Sequence, residues 1–550
     1  MAIETLVAAD SNDNPAARRR HFKRGVSLAT WARLAGDRTA LHCSLGDRSF
    51  AELDDNCSRL AHVLLERGIG ADDGLALICG NRPEFVETTL AAERAGIRVT
   101  PIRADLTARE VDYLLEDSGA KAVIADGSIA GPLADMLGHQ TGRRATLTIG
   151  TTLPGAEDYH SALARAATAA VSCEKVGIPL IYTSGTTGAP KGVYRREPVS
   201  LSTQVAVGRR LKLSASHDFA LAPLALCRPG VFNLSVRLPL VCGVPVLLTE
   251  KYDPLALLAL IAENRITYAY LTPFLLHRLA QLPPSLRSRY DISSLRNVLH
   301  TGAPCAVGLK REIIDWFGPI ITECYSGTEG GDIVISSDEW IRKPGSVGKA
   351  SDRVAILDDA GRELPVGTIG RVFLDAPERG RFEYFNDPEK TRSAYCGDRY
   401  TMGDHGYLDA DGYLFLTGRS AEIINCGGLK IYPAEVDAIL VSHPAVADAA
   451  CIGVAHPEMG EEVLALVTLA AGYTEGVAVE NELRSHCAAL LAPYKCPKRY
   501  QFVGDIPRLP TGKILREALR RRHAASAAQA DDGLTVHPRV EHAEEPRTHY

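Results

Sequence analysis

Four short stretches of this chain carry residue types suited to handling phosphates, sugars and carboxylates. The first, Tyr182-Thr-Ser-Gly-Thr-Thr-Gly-Ala-Pro-Lys-Gly-Val193, sets three glycines, four Ser/Thr hydroxyls and one lysine between apolar flanks. Glycine frees backbone amides to turn inward, and hydroxyls beside them make a cradle for phosphate oxygens. Thr183, Ser184, Gly185, Thr186, Thr187 and Gly188 are the expected cradle, with Lys191 adding a point charge. The Gly-x-x-x-x-Gly-Lys-Ser/Thr spacing of the Walker loop is absent, so the grip is of another kind. A flexible Gly/Ser/Thr linker is the plain alternative.

The other three stretches follow in order. Tyr325-Ser-Gly-Thr-Glu329 combines a ring face able to stack on a purine, a hydroxyl for phosphate and a carboxylate of the kind that ligates Mg2+. Tyr400-Thr-Met-Gly-Asp404 and Thr417-Gly-Arg419 place an acid ahead of an arginine. A carboxylate can accept both protons of a ribose diol, and a guanidinium adds donors to the same sugar or phosphate. In Pro510-Thr-Gly-Lys-Ile-Leu-Arg516, Gly512 allows a sharp turn before Lys513, whose ammonium can neutralise an attacking carboxylate and a crowded phosphate together. Taken singly, each has a simpler reading: a surface acid in a turn, a capping Asp, a surface ion pair, a Gly-Lys at a helix start.

These stretches need a large scaffold. At 550 residues the chain exceeds one compact core, so at least two domains are expected. The 46% hydrophobic content and net charge of −6 fit a globular protein, and no dense Lys/Arg stripe suggests a nucleic-acid surface. The 13 cysteines are scattered without a Cys-x-x-Cys pair, which points to reduced thiols in the cytoplasm. The N-terminus lacks a signal-peptide pattern, and no apolar run reaches bilayer length, so no integral membrane contact is expected.

The fold class expected is α/β: a large N-terminal α/β domain with a β-rich subdomain, and a small mobile α+β C-terminal domain. Strand and helix patterns alternate at Leu75–Cys79, Arg82–Ala95, Arg98–Ile102, Thr107–Asp117 and Lys121–Ala125. The rhythm resumes at Val244–Leu248, Pro254–Asn264, Thr267–Leu271 and Phe274–Leu282, and a helix is predicted at Val307–Phe317. After Gly345 short alternating stretches take over, with a hairpin turn at Asp409–Gly412. The predicted divisions are a polar segment 1–25, a large domain 26–419, a small domain 420–523 with Val446–Val454 and Glu462–Leu469 as strands, and a disordered tail 524–550.

The four motifs, in this order, resemble the signatures of the adenylate-forming superfamily of AMP-binding enzymes, which includes acyl-CoA synthetases. The resemblance spans roughly residues 26–523. It implies ATP, Mg2+ and coenzyme A as co-substrates or cofactors, with a small-molecule carboxylic acid as substrate. It further implies that Tyr325 stacks adenine, Thr328 contacts phosphate, Glu329 holds Mg2+, and Asp404 and Arg419 grip ribose. Gly302-Ala303-Pro304 would line adenine, and Lys513, Glu329 and Thr328 would be catalytic. Ile423–Glu435, with Gly427 and Gly428, resembles the loop that admits the pantetheine thiol after the small domain turns.

The chain departs from the family pattern in two places. Where relatives that activate fatty or aromatic acids carry Pro-Leu-aromatic-His, it reads Pro223-Leu-Ala-Leu-Cys-Arg228, with Ala225 for the aromatic and Leu226 for the gate histidine. Arg228 is read as a surface ion-pair partner, with contact to a second acidic group on the substrate as the alternative. The hinge position has Ala421 where Asp is common. The segment from Tyr325 to Gly348 looks most like bacterial fatty-acid and bile-acid CoA ligases. The expected activity is therefore an AMP-forming acid–thiol ligase, acting on a hydrophobic monocarboxylic acid. Transfer to a carrier protein or another acceptor, activation of an unusual oxyanion, and a non-catalytic nucleotide-binding protein all stay open, as does homodimer formation.

Overall fold

The computed structural model describes residues 26–523, apart from 130–132, 141, 152, 154, 172, 184–189, 199–200, 250–252, 379, 420–421, 427–428, 457–458 and 509–511. The expected polar segment 1–25 and tail 524–550 therefore lie outside the described residues. The chain divides into two compact units, Met1–Thr417 and Gly418–Tyr550.

Two open sheets with covering helices form the body of the first unit. One has the strand order Arg98–Pro101, Gly74–Ile78, Ala120–Asp126, Ala145–Ile149, Glu157–Asp158, all parallel. The other has eight strands, ordered Ile333–Ser336, Ile321–Tyr325, Asn297–His300, Tyr268–Tyr270, Ala220–Ala222, Val246–Leu248, Thr39–His42 and Arg48–Ser49. Its six central strands are parallel and each outermost strand is antiparallel. Strands covered on both faces read as near-continuous apolar runs, and Gly74–Ile78 (GLALI) is buried at every position.

The helices begin where side chains can take the place of missing backbone partners. Ser49 with Glu52, Thr107 with Glu110, and Ser336 with Glu339 form capping boxes at the heads of Phe50–Glu66, Ala108–Asp117 and Ser337–Arg342. Pro254–Asn264 starts behind Asp253, whose side chain accepts from two backbone amides, and Pro83–Ala95 ends at Gly96 in the left-handed conformation. One continuous apolar core runs from Leu28 to Trp340 and joins both sheets.

A smaller β-rich portion of the same unit holds the strands Ser346–Lys349, Val354–Leu357, Gly370–Asp375, Tyr395–Cys396, Arg399–Tyr400, Asp404–Leu408 and Tyr413–Arg419. It has its own core around Val372, Leu374 and Leu414. The predicted hairpin turn at Asp409–Gly412 is present: Asp409 N–H donates to Tyr413 O at 3.0 Å, and the rings of Tyr407 and Phe415 stack 5.1 Å apart. A separate three-stranded sheet is ordered Phe382–Tyr384, Lys191–Arg195, Ile181–Thr183.

The second unit is a five-stranded sheet, Leu429–Ile431, Ile424–Cys426, Gly460–Leu469 and Val446–His456, with Arg499–Phe502 pairing parallel to Gly460–Leu469. Helices Pro433–Val441 and Val477–Leu490 pack on a core that includes Val436, Cys451 and Leu483, and residues 516–523 form a further helix.

Candidate active site

Parallel strands place the loops at their C-terminal ends along one edge of the sheet, the edge where open α/β sheets bind ligands. Ala220–Ala222, Tyr268–Tyr270, Asn297–His300 and Ile321–Tyr325 are mutually parallel in this way. The segments that follow them therefore share an edge: Pro223–Arg228 after the first, Gly302-Ala303-Pro304 after the third, and Ser326–Glu329 after the fourth. Gly302 takes φ +92, a conformation that favours glycine, as its segment leaves the strand. Thr301 and Ser326 hydroxyls lie 3.5 Å apart, tying two of these segments together.

Tyr325 closes its strand with its side chain buried, and its hydroxyl donates to Asp404 Oδ2 at 2.7 Å. Asp404 opens the next strand after a turn in which Gly403, at φ +83, donates its N–H to Thr401 Oγ1. Two residues separated by 79 positions thus form one polar unit, a ring face with a carboxylate at its tip. Hydrogen bonding fixes the carboxylate's direction.

Thr328 and Glu329 occupy a tight turn, in which Gly327 N–H donates to Gly330 O at 2.6 Å. A Cβ on Gly330 would lie 2.1 Å from the Tyr400 hydroxyl, so that position requires glycine. Burial pushes the Tyr400 hydroxyl up to about 12. Tyr384 donates to Glu329 Oε1 at 3.0 Å, and the Arg195 guanidinium donates to the Glu329 backbone carbonyl. Burial pulls Arg195 below its ordinary value.

The strands carrying those partners also frame the predicted phosphate loop. Thr183 pairs with Lys191, Tyr182 with Gly192 and Ile181 with Val193, while Tyr384 pairs with Val193 on the other side. Lys191 lies 5.4 Å from the Tyr384 ring centroid, within cation–π range. The structure thus brings Thr183, Lys191 and Glu329 together around Tyr384. Ser184, Gly185, Thr186, Thr187 and Gly188 lie outside the described residues, as do Ala421, Gly427 and Gly428.

Arg419 and Lys513 belong to the second unit. Arg419 ends its strand after Gly418, where a Cβ would approach the Tyr432 ring to 3.3 Å. Lys513 is half-buried in a small hairpin: Arg508 bridges to Ile514, Leu515 N–H donates to Pro507 O at 2.9 Å, and Gly512 turns at φ +87. Arg508 donates to Gly512 O at 2.6 Å and pairs with Asp448. On the other side of Lys513, Arg516 pairs with Glu422 at 2.9 Å and with Asp437.

Leu226 is buried in the main core. Its N–H donates to Asn81 Oδ1 at 2.9 Å, and Asn81 Nδ2 donates to Leu224 O at 2.8 Å and Thr249 O at 2.7 Å. The residue at the expected gate position is therefore a packing residue, its backbone pinned from the neighbouring sheet. The expected surface ion pair of Arg228 is not present among the described residues; the side chain is half-buried.

Sequence reading missed Tyr384, Arg195 and Asn81, whose roles depend on neighbours far along the chain. Asn81 carried the one local signal, a polar residue closely following a fully apolar strand. Among the described residues no helix is long and apolar enough to cross a membrane, and no cluster of three or more His, Cys, Asp or Glu could hold a metal ion.

Among the described residues the first unit thus sets two hydrogen-bonded pairs, Tyr325 with Asp404 and Tyr384 with Glu329. Residues 28–380 match the family model described as AMP-binding enzyme, and residues 435–513 match its C-terminal domain. The chain belongs to the AMP-binding enzyme family. Long-chain-fatty-acid–CoA ligase FadD13 of Mycobacterium tuberculosis is 30% identical over 87% of this chain and 93% of its own length. Fatty acid–[acyl-carrier-protein] ligase ScoC of Streptomyces coeruleorubidus is 28% identical over 89% and 94%. Among solved structures, amide bond synthetase McbA from Marinactinospora thermotolerans superposes with a TM-score of 0.77 at 27% identity, covering 90% of this chain and 99% of that one.

Proposed function

We propose that the protein is an ATP-dependent acid:CoA ligase, which forms an acyl-adenylate with release of pyrophosphate and then an acyl-CoA thioester. The observation that carries this reading is the pair of fixed carboxylates on one unit: Asp404 aimed by Tyr325, and Glu329 aimed by Tyr384 beside Lys191. In this reading Tyr325 stacks on adenine against Gly302-Ala303-Pro304, and Asp404 with Arg419 takes the ribose hydroxyls. Thr183–Gly188 and Lys191 hold the β- and γ-phosphates, and Thr328 contacts phosphate.

Glu329 is suited to Mg2+. Its Oε2 has no hydrogen bond among the described residues, and Mg2+ on nucleotides needs only one or two carboxylates beside phosphates and waters. When bound, the ion neutralises phosphate charge. Lys513 relieves repulsion between the substrate carboxylate and the α-phosphate as the two approach. The adenylate is a mixed anhydride with AMP as leaving group, so the CoA thiolate can displace it. Gly427 and Gly428 suit close passage of the pantetheine arm.

The acceptor carries a second reading, because relatives of similar identity are named for a carrier protein and for amide formation. Acid-dependent pyrophosphate release, measured with ATP and Mg2+ across fatty and aromatic acids, with and without CoA, separates these cases. Turnover only with CoA, together with a thioester mass, supports the ligase. Release without a thioester moves the case to a carrier protein or another acceptor. ATP binding without any release would leave a nucleotide-binding protein.

A further inference from the structure

Arg103 and Arg228 both act electrostatically on the Asp105 carboxylate. Asp105 is committed to Arg103, whose Nε donates to Oδ1 at 2.8 Å while Nη2 takes Oδ2. Arg228 has no ion pair or side-chain hydrogen bond among the described residues, although its side chain is half-buried. Burial works against its charge, and Arg103 repels it as well. Cys227, Tyr270 and Asp105 favour its charged form. Burial pushes both the Cys227 thiol and the Tyr270 hydroxyl up, so both are neutral near pH 7. Asp105 acts on both guanidiniums, and Glu110 acts on Arg103 as well. Asp105 is held by Arg103, so the half-buried Arg228 guanidinium is left without a direct partner among the described residues, and an unpaired charge in a partly desolvated place is costly unless a ligand completes it.

The position is on the substrate side of the sheet edge. Arg228 follows the strand Ala220–Ala222, and its carbonyl accepts from Phe232 N–H at 3.0 Å as the chain turns helical. The neighbouring strand ends in Tyr270. A methyl group on Gly230 would lie 4.0 Å from the Tyr270 hydroxyl, and one on Gly302 would lie 3.7 Å from it. One hydroxyl thus borders both the Arg228 segment and the predicted adenine-lining segment, and Gly230 and Gly302 are both exposed. Ala220–Ala222 and Asn297–His300 are separated by one strand, hence by about 10 Å.

We propose that Arg228 is a specificity-determining residue that binds a second carboxylate on the acid being activated, so that the preferred substrate is a dicarboxylate with a short apolar body. This rests on the ligase reading above, and it takes up the alternative that the sequence left open for Arg228. The guanidinium fork matches a carboxylate bidentately, whereas a methyl terminus would leave the cation buried without a partner.

Matched pairs test it: octanoic against octanedioic acid, and 3-phenylpropanoic against 4-(2-carboxyethyl)benzoic acid. The readout is kcat/KM for AMP formation with CoA present, in wild type, Arg228→Gln and Arg228→Lys. Wild type should favour the diacid at least tenfold. Arg228→Gln should reduce the diacid-to-monoacid ratio at least tenfold, and Arg228→Lys should recover part of it. A wild-type preference for the monoacid in both pairs overturns the assignment and leaves the ligase standing, and that comparison decides even if the variants do not fold. An equal ratio in wild type and Arg228→Gln also overturns it. No acid-dependent AMP formation with any acid removes the ligase reading and this assignment together.

Discussion

Replacing Tyr325 by Phe separates two duties that one side chain combines in the proposed site. The ring face remains available for a base, but the hydroxyl that donates to Asp404 at 2.7 Å is lost. Both residues are buried, at 9% and 6% exposure, so water cannot easily take the hydroxyl's place. A hydrogen bond to a charged group contributes about 1.5–3 kcal/mol. If about 2 kcal/mol of this is expressed in nucleotide binding, KM for ATP rises about 30-fold, since 1.4 kcal/mol is a factor of ten. Part of the loss falls on the free enzyme, where Asp404 is equally desolvated, so we expect a rise of about 5- to 30-fold. Initial rates of AMP formation against ATP at saturating acid measure it, repeated with 2′-deoxy- and 3′-deoxy-ATP. If Asp404 grips the diol, the penalties for the missing hydroxyls and for Tyr325→Phe should be less than additive. An unchanged KM for ATP with an altered KM for the acid would refute the reasoning, as would full additivity.

Three further outcomes are expected. Tyr384→Phe should raise the Mg2+ concentration for half-maximal rate several-fold without changing the KM of CoA, since Tyr384 holds the Glu329 carboxylate; a Mg2+ titration at fixed ATP reads this directly. Lys513→Ala should lower adenylation by at least a hundredfold yet leave thioester formation from supplied acyl-adenylate largely intact, and equal loss in both half-reactions would contradict that division. Asn81→Ala leaves the buried Leu226 amide and the Leu224 carbonyl without their partner, which should lower stability by about 2–3 kcal/mol in denaturant melts and raise the KM of the acid.

The elements were legible where one segment decides its own structure. Pro254–Asn264 and Val307–Phe317 coincide with the sequence reading, because apolar spacing carries each; Asp253 and Pro254 also mark the start of the first, whereas the second begins behind Ala306 without a side-chain cap. The helix expected from Thr107 begins at Ala108, since Thr107 is its cap and apolar spacing does not distinguish a cap from a first turn. The strand expected over Val446–Val454 continues to His456, where pairing of Ala455 and His456 with Glu461 and Gly460 extends a ladder that polarity had ended. The site divides in the same way. Its motif residues stand out by type and order, but Tyr325 with Asp404 and Tyr384 with Glu329 meet across 79 and 55 positions. No local pattern encodes such meetings; they follow from strand order. Arg228 shows the opposite failure: its surroundings, not its type, decide that it lacks a surface partner.

The two arginines that flank Lys513 fix the timescale on which that lysine can act. A lysine on an untethered segment reorients in roughly picoseconds to nanoseconds. Here Arg508 is tied to Asp448 and Arg516 to Glu422 and Asp437, so described residues on both sides of Lys513 are anchored within the second unit. In the proposed reaction a large displacement of the ammonium would be a displacement of the whole unit, on the order of microseconds to milliseconds. On that reading the lysine would act less like a side chain finding its target than like a tool mounted on a slow arm, present or withdrawn for the duration of a chemical step.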